Sequence, residues 1–261
     1  MGISALVITW NEEKNIQRCL ESLRFADEIV VLDSYSSDRT VEIAKRYTDK
    51  VFQREFAGFS DQRIAALQYA SQDWVLIVDA DEVVTPELAS ALRRAAETEQ
   101  YDGYRLPRLT VFLDREMRHC GWYPAYSIRL ARKDKVYFPP RLVHESILVR
   151  GRIGVLDEHL LHYSYPSLAE YARKMMLYAD AGAKQMKIDG KRFTLFDLLA
   201  RPPFAFFRMF IWKLGFLDGM HGFVLSVLTA CSTALRYAML WELERQSKIE
   251  NGKVNNARSR E

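Results

Sequence analysis

Asp79 and Asp81 stand one residue apart, directly after the unbroken apolar run 74–78. A run of bulky residues without alternation is typical of a strand that is buried on both faces. Side chains two positions apart in an extended chain point the same way, so both carboxylates can face one bound object. Two close carboxylates repel each other, and a divalent cation that also holds phosphate oxygens is the usual remedy. The pair therefore predicts a metal site, with an ordinary turn as the alternative.

The elements that must position this pair are strands alternating with helices. Alternation of this kind implies right-handed crossovers and a parallel sheet. In open sheets of that class, ligands bind beyond the carboxyl ends of the strands, which is where Asp33 and Asp79 both fall. Asn11 is expected to cap the helix after the first strand. The predicted strands are 3–10, 28–32, 51–52 and 74–78, and the predicted helices are 16–23, 40–47, 62–70 and 86–97.

The second part of the chain has a different texture. After Tyr101, short β-rich pieces indicate mixed-sheet material laid against the first half. From Leu168 the pattern becomes helical. The predicted fold class is therefore α/β, a mixed sheet with flanking helices and a C-terminal apolar helical segment. The strand-like pieces are 103–112, 126–131, 136–138, 142–149 and 153–157.

Composition and charge narrow the class of protein. The chain has 261 residues, 49% of them hydrophobic, which is enough for one large domain or a domain with an appendage. A net charge of +3 is too small to predict a nucleic-acid partner. After residue 190, eleven Lys or Arg residues face six Asp or Glu in the most apolar part of the chain, which points to an anionic membrane surface. Cys19, Cys120 and Cys231 lie far apart without metal-ligand spacing and no secretory pattern is recognised, so we expect a cytoplasmic location.

The turn after the first strand, Thr9-Trp-Asn-Glu-Glu, contains no glycine. The glycine-rich fingerprint of dinucleotide binding is therefore absent, which argues against a dehydrogenase. Asp33 nevertheless ends the second strand, at the position where such folds hold ribose hydroxyls or a base edge. A turn or helix-entry residue is the alternative for Asp33.

Three stretches carry a family resemblance: 7–13 (VITWNEE), 31–40 (VLDSYSSDRT) and 78–82 (VDADE). In order and spacing they resemble the family-2 inverting glycosyltransferases of the GT-A fold over residues 1–100. The chain departs from the usual pattern at Ser34, where a second acidic residue is common, and at Tyr35, where glycine is common. The resemblance implies a Rossmann-like mixed sheet that binds a nucleotide-sugar and a divalent metal.

The resemblance also implies roles for residues at matching positions. Asp33 would hydrogen-bond the base, and Arg63 would face the donor pyrophosphate, with a solvated helix face as the alternative for Arg63. Asp81 would ligate Mn²⁺ or Mg²⁺ between the phosphates, where a Lewis acid stabilises the charge on the departing nucleoside diphosphate. Asp79 would touch both the ribose and the metal. The remaining nucleoside contacts would come from Thr9, Asn11 and Glu12.

Inverting transfer also requires a base that takes the proton of the acceptor hydroxyl. Three acids in the β-rich part are candidates: Glu145, Asp157 and Glu158. We favour Glu145, because it sits between strand-like pieces with Arg141 close by to tune its charge. A surface acid near a turn is the alternative.

Two further groups have both a structural and a functional interpretation. His159 or His162 could complete the metal site, although structural histidines are the favoured interpretation. Trp122, Tyr123 and Tyr126 could stack on a sugar ring or pack in the core.

The most apolar segments lie in the last third of the chain. Residues 222–241 would just reach across a bilayer as a helix, but Arg236 within them weakens that interpretation. Residues 203–217 place Arg208 and Lys213 among aromatic and aliphatic side chains, a combination that suits a helix lying in the membrane interface. We therefore predict monotopic association, with a helical pair that completes the core or a dimer contact as the alternative.

The phrase 215–223 (GFLDGMHGF) resembles a narrower group, which includes the lipopolysaccharide inner-core β-1,4-glucosyltransferases. Those enzymes add glucose to a heptose on a lipid acceptor at the cytoplasmic face. The resemblance implies a UDP-sugar donor, a lipid-linked saccharide acceptor and peripheral association with the inner membrane. The alternatives are another nucleotide-sugar transferase of cell-envelope polysaccharide, a nucleotidyltransferase, and a catalytically dead membrane-associated scaffold.

These patterns also predict the domain organisation. Residues 1–165 form the GT-A domain, residues 166–246 form a helical membrane-associating extension, and residues 247–261 form a disordered tail. Within the first domain, residues 1–100 are the nucleotide-sugar half and residues 101–165 the acceptor half.

Overall fold

The computed structural model describes residues 1–98, 100–138 and 147–258. These residues divide into two compact units, each built from two segments of chain. Unit 1 contains Met1–Val111 and Tyr123–Ser164, and unit 2 contains Phe112–Trp122 and Tyr165–Glu261. The domain boundaries drawn from the sequence at residues 165 and 246 stay predictions.

The secondary structure follows the predicted order, strands and helices alternating first and helices alone last. The strands are β1 Ile3–Thr9, β2 Glu28–Asp33, β3 Val51–Gln53, β4 Trp74–Asp79, β5 Glu82–Val84, β6 Gly103–Phe112, β7 Arg115–Glu116, β8 Ala125–Arg132, β9 Val136–Tyr137, β10 Leu148–Val149, β11 Ile153–Val155 and β12 Leu160–Tyr165. The α-helices are α1 Ile16–Ser22, α2 Thr40–Ala44, α3 Phe59–Tyr69, α4 Pro86–Glu97, α5 Leu168–Ile188, α6 Leu195–Phe207 and α7 Gly219–Arg258.

The central sheet of unit 1 is mixed. Its strand order is β3-β2-β1-β4-β8-β6-β12-β5. Strands β1 to β4 are parallel to their neighbours within that group, and β8 then runs antiparallel to both β4 and β6. The predicted α/β fold class is confirmed, since a parallel nucleotide-binding half continues directly into a β-rich mixed half.

Burial on both faces explains why β1 reads as a continuous apolar run. Ile3, Ala5 and Val7 pack into one cluster with side chains from α1 and α4. Leu6, on the opposite face, packs into a second cluster with side chains from α3. Helices therefore cover both faces of the sheet at β1. Side chains that bind a polar ligand are left with the strand ends.

The expectation that Asn11 caps the first helix is wrong. Helix α1 begins at Ile16, and Asn11 has a φ of 53° instead. The Asn11 side-chain oxygen accepts a hydrogen bond from the Ser37 backbone N–H at 2.8 Å. Asparagine tolerates the left-handed conformation and bonds to nearby backbone, so it ties two loops together here.

Three strands, β5, β7 and β12, were not predicted, and one predicted piece is only partly described. Strands β5 and β7 have three and two residues, and β12 contains both His162 and Ser164, so none has a clear period-two pattern. Of the predicted piece 142–149, only Leu148–Val149 form a strand among the described residues, because 142–146 lie outside them.

Unit 2 contains a tight corner built from the phrase 215–223. A Cβ on Gly222 would lie 1.9 Å from the carbonyl oxygen of Gly215, so only glycine fits there. The buried Asp218 carboxylate accepts hydrogen bonds from the backbone N–H and the ring Nδ1 of His119, both at 2.9 Å. The corner consists of a 3₁₀ turn, Gly215–Asp218, and leads straight into α7. The backbone of α7 continues to Arg258, and disorder of 247–261 stays a prediction.

Candidate functional site at the carboxyl ends of the strands

Three of the residues predicted to contact the nucleotide lie side by side where the parallel strands end. The register pairs Thr9 of β1 with Asp33 of β2, and Ile8 with Asp79 of β4. Because parallel strands end at the same edge of a sheet, their last side chains lie close to one another. The apolar runs placed Asp33 and Asp79 at these strand ends, whereas the role of Thr9 came from the family resemblance.

Asp33 is buried, and neighbouring donors fix its carboxylate. The Oδ2 atom accepts hydrogen bonds from the Ser36 backbone N–H at 2.9 Å and from Gln53 Nε2 at 3.0 Å. The hydroxyl of Ser36 also donates to Oδ1. The neighbouring Thr9 hydroxyl is buried without a hydrogen-bond partner among the residues that the structure describes. The fixed Asp33 carboxylate can accept hydrogen bonds from a polar ligand, and the unpaired Thr9 hydroxyl can form one with it.

Asn11 and Glu12 connect the two loops that border this edge. The Asn11 backbone N–H donates to Ser36 Oγ at 2.8 Å, and the Glu12 backbone N–H donates to Thr40 Oγ1 at 2.8 Å. These bonds join the loop after β1 to the loop after β2. Both residues thus have a positioning role in the structure, whatever ligand they contact.

Asp79 is clamped between two arginines. Its Oδ1 lies 2.9 Å from Nη2 of Arg63, and its Oδ2 lies 3.0 Å from Nη2 of Arg129. Burial raises the pKa of Asp79, but the charges of Arg129 and Arg63 outweigh it and hold that pKa well below its ordinary value. Asp79 is therefore an anion that fixes two guanidinium groups in place.

Glu82 extends this network inward. It is fully buried, and its Oε1 lies 2.5 Å from Arg129 Nη2, while its Oε2 accepts the backbone N–H of Asp79 at 2.9 Å. Burial raises the pKa of Glu82 to about 7; Arg129 opposes that rise, and the charge of Asp79 adds to it. Burial also raises the pKa of the neighbouring Cys19 thiol, helped by the surrounding carboxylates, which favours the protonated thiol.

The side chain of Asp81 contacts that of His162. Its Oδ2 lies 3.2 Å from Nε2 of His162, which is on β12. The backbone keeps the two together, because Tyr163 N–H donates to the Asp81 carbonyl at 2.8 Å and β12 pairs with β5. The Ser164 hydroxyl also lies within hydrogen-bonding distance of the imidazole. An oriented imidazole beside a carboxylate is an arrangement in which proteins hold transition metals.

The donor set at this point fits a divalent metal. Asp81 Oδ2 and His162 Nε2 lie 3.2 Å apart and could supply two ligands to one divalent ion. Among the described residues no group of three or more His, Cys, Asp or Glu side chains could hold a metal. A site with two protein ligands relies on phosphate oxygens and water for the rest, as Mg²⁺ sites commonly do.

Beyond β4 the edge opens into a cleft of about 430 Å³ in unit 1. Tyr126, one of the predicted aromatic residues, lines it. Trp122, by contrast, packs against Phe112 and Tyr165 within unit 2. The polar residues that line the cleft are Arg63, Asp79, Arg108, Ser127 and Arg129.

Of the three candidate bases, the structure describes Asp157 and Glu158. Glu145 lies outside the described residues. Asp157 is exposed, and Glu158 lies 3.7 Å from Arg94 in an ion pair. Neither Asp157 nor Glu158 belongs to the described residues that line the cleft.

Comparison with known proteins decides the family. The model of the family described as Glycosyl transferase family 2 matches residues 4–138. The chain belongs to glycosyltransferase family 2. The resemblance to family 2 drawn from the three sequence stretches is confirmed.

Relatives of this glycosyltransferase match it over almost its whole length. The lipopolysaccharide core biosynthesis glycosyltransferase LpsC of Rhizobium meliloti is 30% identical over 92% of this chain and 94% of its own. An uncharacterised glycosyltransferase of Rickettsia typhi is 30% identical over 94% of this chain and 89% of its own. The glycosyltransferase thus resembles enzymes of lipopolysaccharide core biosynthesis.

The fold of this glycosyltransferase recurs in a solved structure. The mannosyltransferase PcManGT of Pyrobaculum calidifontis, in complex with GDP-Man and Mn²⁺, aligns with a TM-score of 0.50 over 97% of this chain and 79% of that one. The two are 14% identical, so the likeness concerns the fold alone.

Three charged residues at or beside the cleft were missed from the sequence: Glu82, Arg108 and Arg129. Arg129 was detectable in principle, because an arginine within the apolar part of a predicted strand must have a buried counter-charge. Which counter-charge it has depends on the pairing of β8 with β4, which residue patterns do not specify. The favoured interpretation of His162, as a structural histidine, also left out its contact with Asp81.

Proposed function

We propose that this glycosyltransferase moves a hexose, with glucose as the first candidate, from a UDP-sugar to a lipid-linked saccharide such as lipopolysaccharide inner-core heptose, with inversion. The observation that carries the proposal is the Asp81–His162 pair, at the sheet edge that also presents Asp33. The Rhizobium meliloti relative, named for lipopolysaccharide core biosynthesis, supports an acceptor of this kind.

Donor binding is assigned to the carboxyl ends of β1, β2 and β4. The fixed carboxylate of Asp33 would accept a hydrogen bond from the base, and the unused hydroxyl of Thr9 would find its partner in the nucleoside. Arg63, anchored on Asp79, would lie against the diphosphate, since a guanidinium group suits phosphate oxygens. Asn11 and Glu12 would keep the bordering loops closed around the nucleoside.

Asp81 and His162 would hold Mn²⁺ or Mg²⁺, and at that position the metal supplies Lewis-acid stabilisation of the departing diphosphate. Asp79 remains a candidate second carboxylate ligand. Both of its oxygens already have guanidinium partners, so its coordination requires one arginine to withdraw. Asp81 is therefore the principal carboxylate ligand in this proposal.

The acceptor hydroxyl requires a base on the opposite side of the sugar, and we assign this role to Glu145. Its carboxylate would take the proton as the acceptor oxygen attacks the anomeric carbon. The nucleoside diphosphate leaves from the other face in the same displacement. One displacement of this kind inverts the anomeric configuration.

Unit 2 supports association with a lipid surface. Side chains of Phe196, Phe207 and Trp212 are 75%, 58% and 66% exposed, which is unusual for a patch of large apolar residues in a soluble protein. Arg208 and Lys213 are exposed beside them and would meet anionic headgroups. We propose that α6 and the following segment lie in the interface of the inner membrane at its cytoplasmic face.

One helical segment, Gly215–Ser247, is long and apolar enough to cross a membrane by length and composition alone, which is weak evidence. Only 22% of its apolar window is buried within the protein. Arg236 interrupts the segment, and a charge at mid-span costs about 2.5–3.5 kcal/mol on insertion scales. An interfacial position is therefore the proposal for this segment as well.

Calorimetric titration with a panel of UDP-, GDP- and CMP-sugars, with and without Mn²⁺, tests the proposed donor. We expect one UDP-sugar to bind, and only with metal. Asp81→Asn should abolish the metal-dependent binding. Asp134→Asn, which removes an aspartate that is 63% exposed in the same unit, is the matched control and should bind normally.

The outcomes of this titration and of product analysis separate the alternatives. Release of UDP supports transfer, whereas release of pyrophosphate would indicate a nucleotidyltransferase. Absence of binding to every nucleotide-sugar would indicate a scaffold with a dead site. Binding of a nucleotide-sugar without metal would contradict the proposed role of Asp81 and His162 in donor binding.

A further inference from the structure

Three guanidinium groups line the cleft beyond β4, and their carboxylate partners do not use all of their donors. Arg63 and Arg129 each place one nitrogen on Asp79. Arg108 Nη1 lies 3.6 Å from the nearest Glu82 oxygen, which is beyond hydrogen-bonding distance. Among the described residues, three guanidinium groups thus line the cleft and Asp79 is the acid that lines it with them.

The same arginines also have donors without acceptors. The Nε atoms of Arg63, Arg108 and Arg129 are buried and have no hydrogen-bond partner among the residues that the structure describes. The Ser127 hydroxyl, which also lines the cleft, is in the same position. Arg129 itself is 4% exposed, so bulk water does not readily compensate its unused donor. Buried donors of this kind are costly unless a bound molecule supplies the acceptors.

The position of Arg108 separates this cluster from the base end of the proposed donor site. Arg108 is on β6, paired with Ala125 of β8, whereas Asp33 is on β2. Four steps of the strand order separate β2 from β6, which at about 4.8 Å a step is about 19 Å along the sheet. The intervening β4 carries Asp79, so the cluster begins near the expected diphosphate and extends away from the nucleoside.

We infer that the cleft lined by Arg63, Arg108, Arg129 and Ser127 is a subsite for a phosphate group carried by the acceptor saccharide. The inference deepens the proposed function and rests on it for the source of the phosphate. Guanidinium forks bind phosphate oxygens with two parallel hydrogen bonds, which would use the idle donors of these side chains. A volume of about 430 Å³ leaves space for a sugar attached to the phosphate.

The experiment measures binding of inorganic phosphate by calorimetry to the full chain at low ionic strength, with and without saturating UDP and Mn²⁺. Arg108→Gln removes the most exposed of the three guanidinium groups and leaves the Asp79 clamp intact. We expect it to weaken phosphate binding about tenfold or more. Arg108→Lys, which keeps the charge without the fork, should weaken it less.

Arg105→Gln is the matched control. Arg105 is on the same strand and more exposed, and its guanidinium stacks on Tyr126 instead of lining the cleft. Equal weakening by Arg105→Gln would mean that phosphate responds to overall charge, which overturns the inference. Equal binding by Arg108→Gln and the parent protein, or no binding to the parent, also overturns it.

Competition with UDP distinguishes an acceptor phosphate from the donor diphosphate. Phosphate that binds alongside saturating UDP, with an unchanged UDP affinity in Arg108→Gln, supports the acceptor subsite. Phosphate that UDP displaces, with UDP affinity lowered in Arg108→Gln, would assign the cleft to the donor diphosphate and overturn the inference. Phosphate binding is measured without turnover. The phosphate-subsite proposal can therefore be wrong while the donor-binding proposal holds, and the donor-binding proposal can be wrong while the subsite holds.

Discussion

The Asp81 carboxylate and the His162 imidazole are 81 positions apart in the chain, yet Oδ2 and Nε2 lie 3.2 Å from each other. One comes from the turn after β4 and the other from β12, the strand that pairs with β5. Their meeting depends on the order in which the sheet assembles and on no local motif. It brings together the oxygen and nitrogen donors that would hold the proposed metal.

Replacing His162 should lower the affinity for the metal while the protein still folds. His162→Ala removes one of two proposed protein ligands, so the Mn²⁺ concentration for half-maximal activity should rise at least as much as the 10–100-fold typical of losing an outer-shell partner. Mn²⁺ titration of activity measures this. His159→Ala, three residues away in the same unit, is the control and should leave the titration unchanged; an unchanged titration for His162→Ala would contradict the metal assignment.

Arg129 should be important for stability. Arg129→Met removes the counter-charge that the buried Glu82 shares with the partly exposed Asp79, and breaking a buried ion pair typically costs about 3–5 kcal/mol in the free energy of unfolding. Urea unfolding followed by circular dichroism measures the loss. Arg132→Met, on the same strand but more exposed, should cost far less. Comparable losses for the two variants would show that the buried network contributes little.

Glu82 should make stability depend on pH. Its pKa is raised by burial from 4.5 to about 7, so the folded protein holds this proton more tightly than the unfolded chain. Its contribution to the free energy of unfolding is therefore complete below about pH 4.5 and is lost as the pH rises through about 7. Unfolding by urea at several pH values should show a fall across this window that Glu82→Gln removes. Retention of the full fall in that variant would assign it to another group.

Glu145→Gln should separate catalysis from donor binding. The amide keeps the size of the side chain but cannot accept the proton, so the transfer rate should fall by about two orders of magnitude or more. Donor affinity, measured by calorimetry, should stay unchanged. Glu158→Gln serves as the control, because that acid lies in an ion pair with Arg94. If Glu158→Gln loses the rate and Glu145→Gln does not, the base has been assigned to the wrong acid.

Membrane association should depend on the exposed aromatic residues of unit 2. Phe207→Ser combined with Trp212→Ser removes two side chains that are more than half exposed, and should reduce sedimentation with vesicles that contain anionic lipid. Phe56→Ser, which removes a similarly exposed aromatic residue from unit 1, should not. Equal sedimentation of all three proteins would argue against an interfacial segment at 203–217.

Site residues at the end of a single apolar run could be predicted from the sequence. Residues that reach the site through the pairing of distant strands could not. Asp33 and Asp79 are readable because each ends an apolar run, and parallel strands bring such ends together. Arg129 and His162 reach the site only through the pairing of β8 with β4 and of β12 with β5. Asn11 was misassigned because asparagine favours both helix caps and left-handed loop positions, and the residue pattern does not distinguish them.

The salt links of Arg129 bear on how this enzyme could be recombined with its relatives. The arginine is on β8, while both of its acids, Asp79 and Glu82, come from the first hundred residues. A chimera that exchanges only those residues would bury two carboxylates opposite whatever the recipient carries at this position of β8. Transplanting donor specificity therefore requires β8 to move together with the nucleotide-binding strands, and shuffling experiments should place their crossover after Arg132.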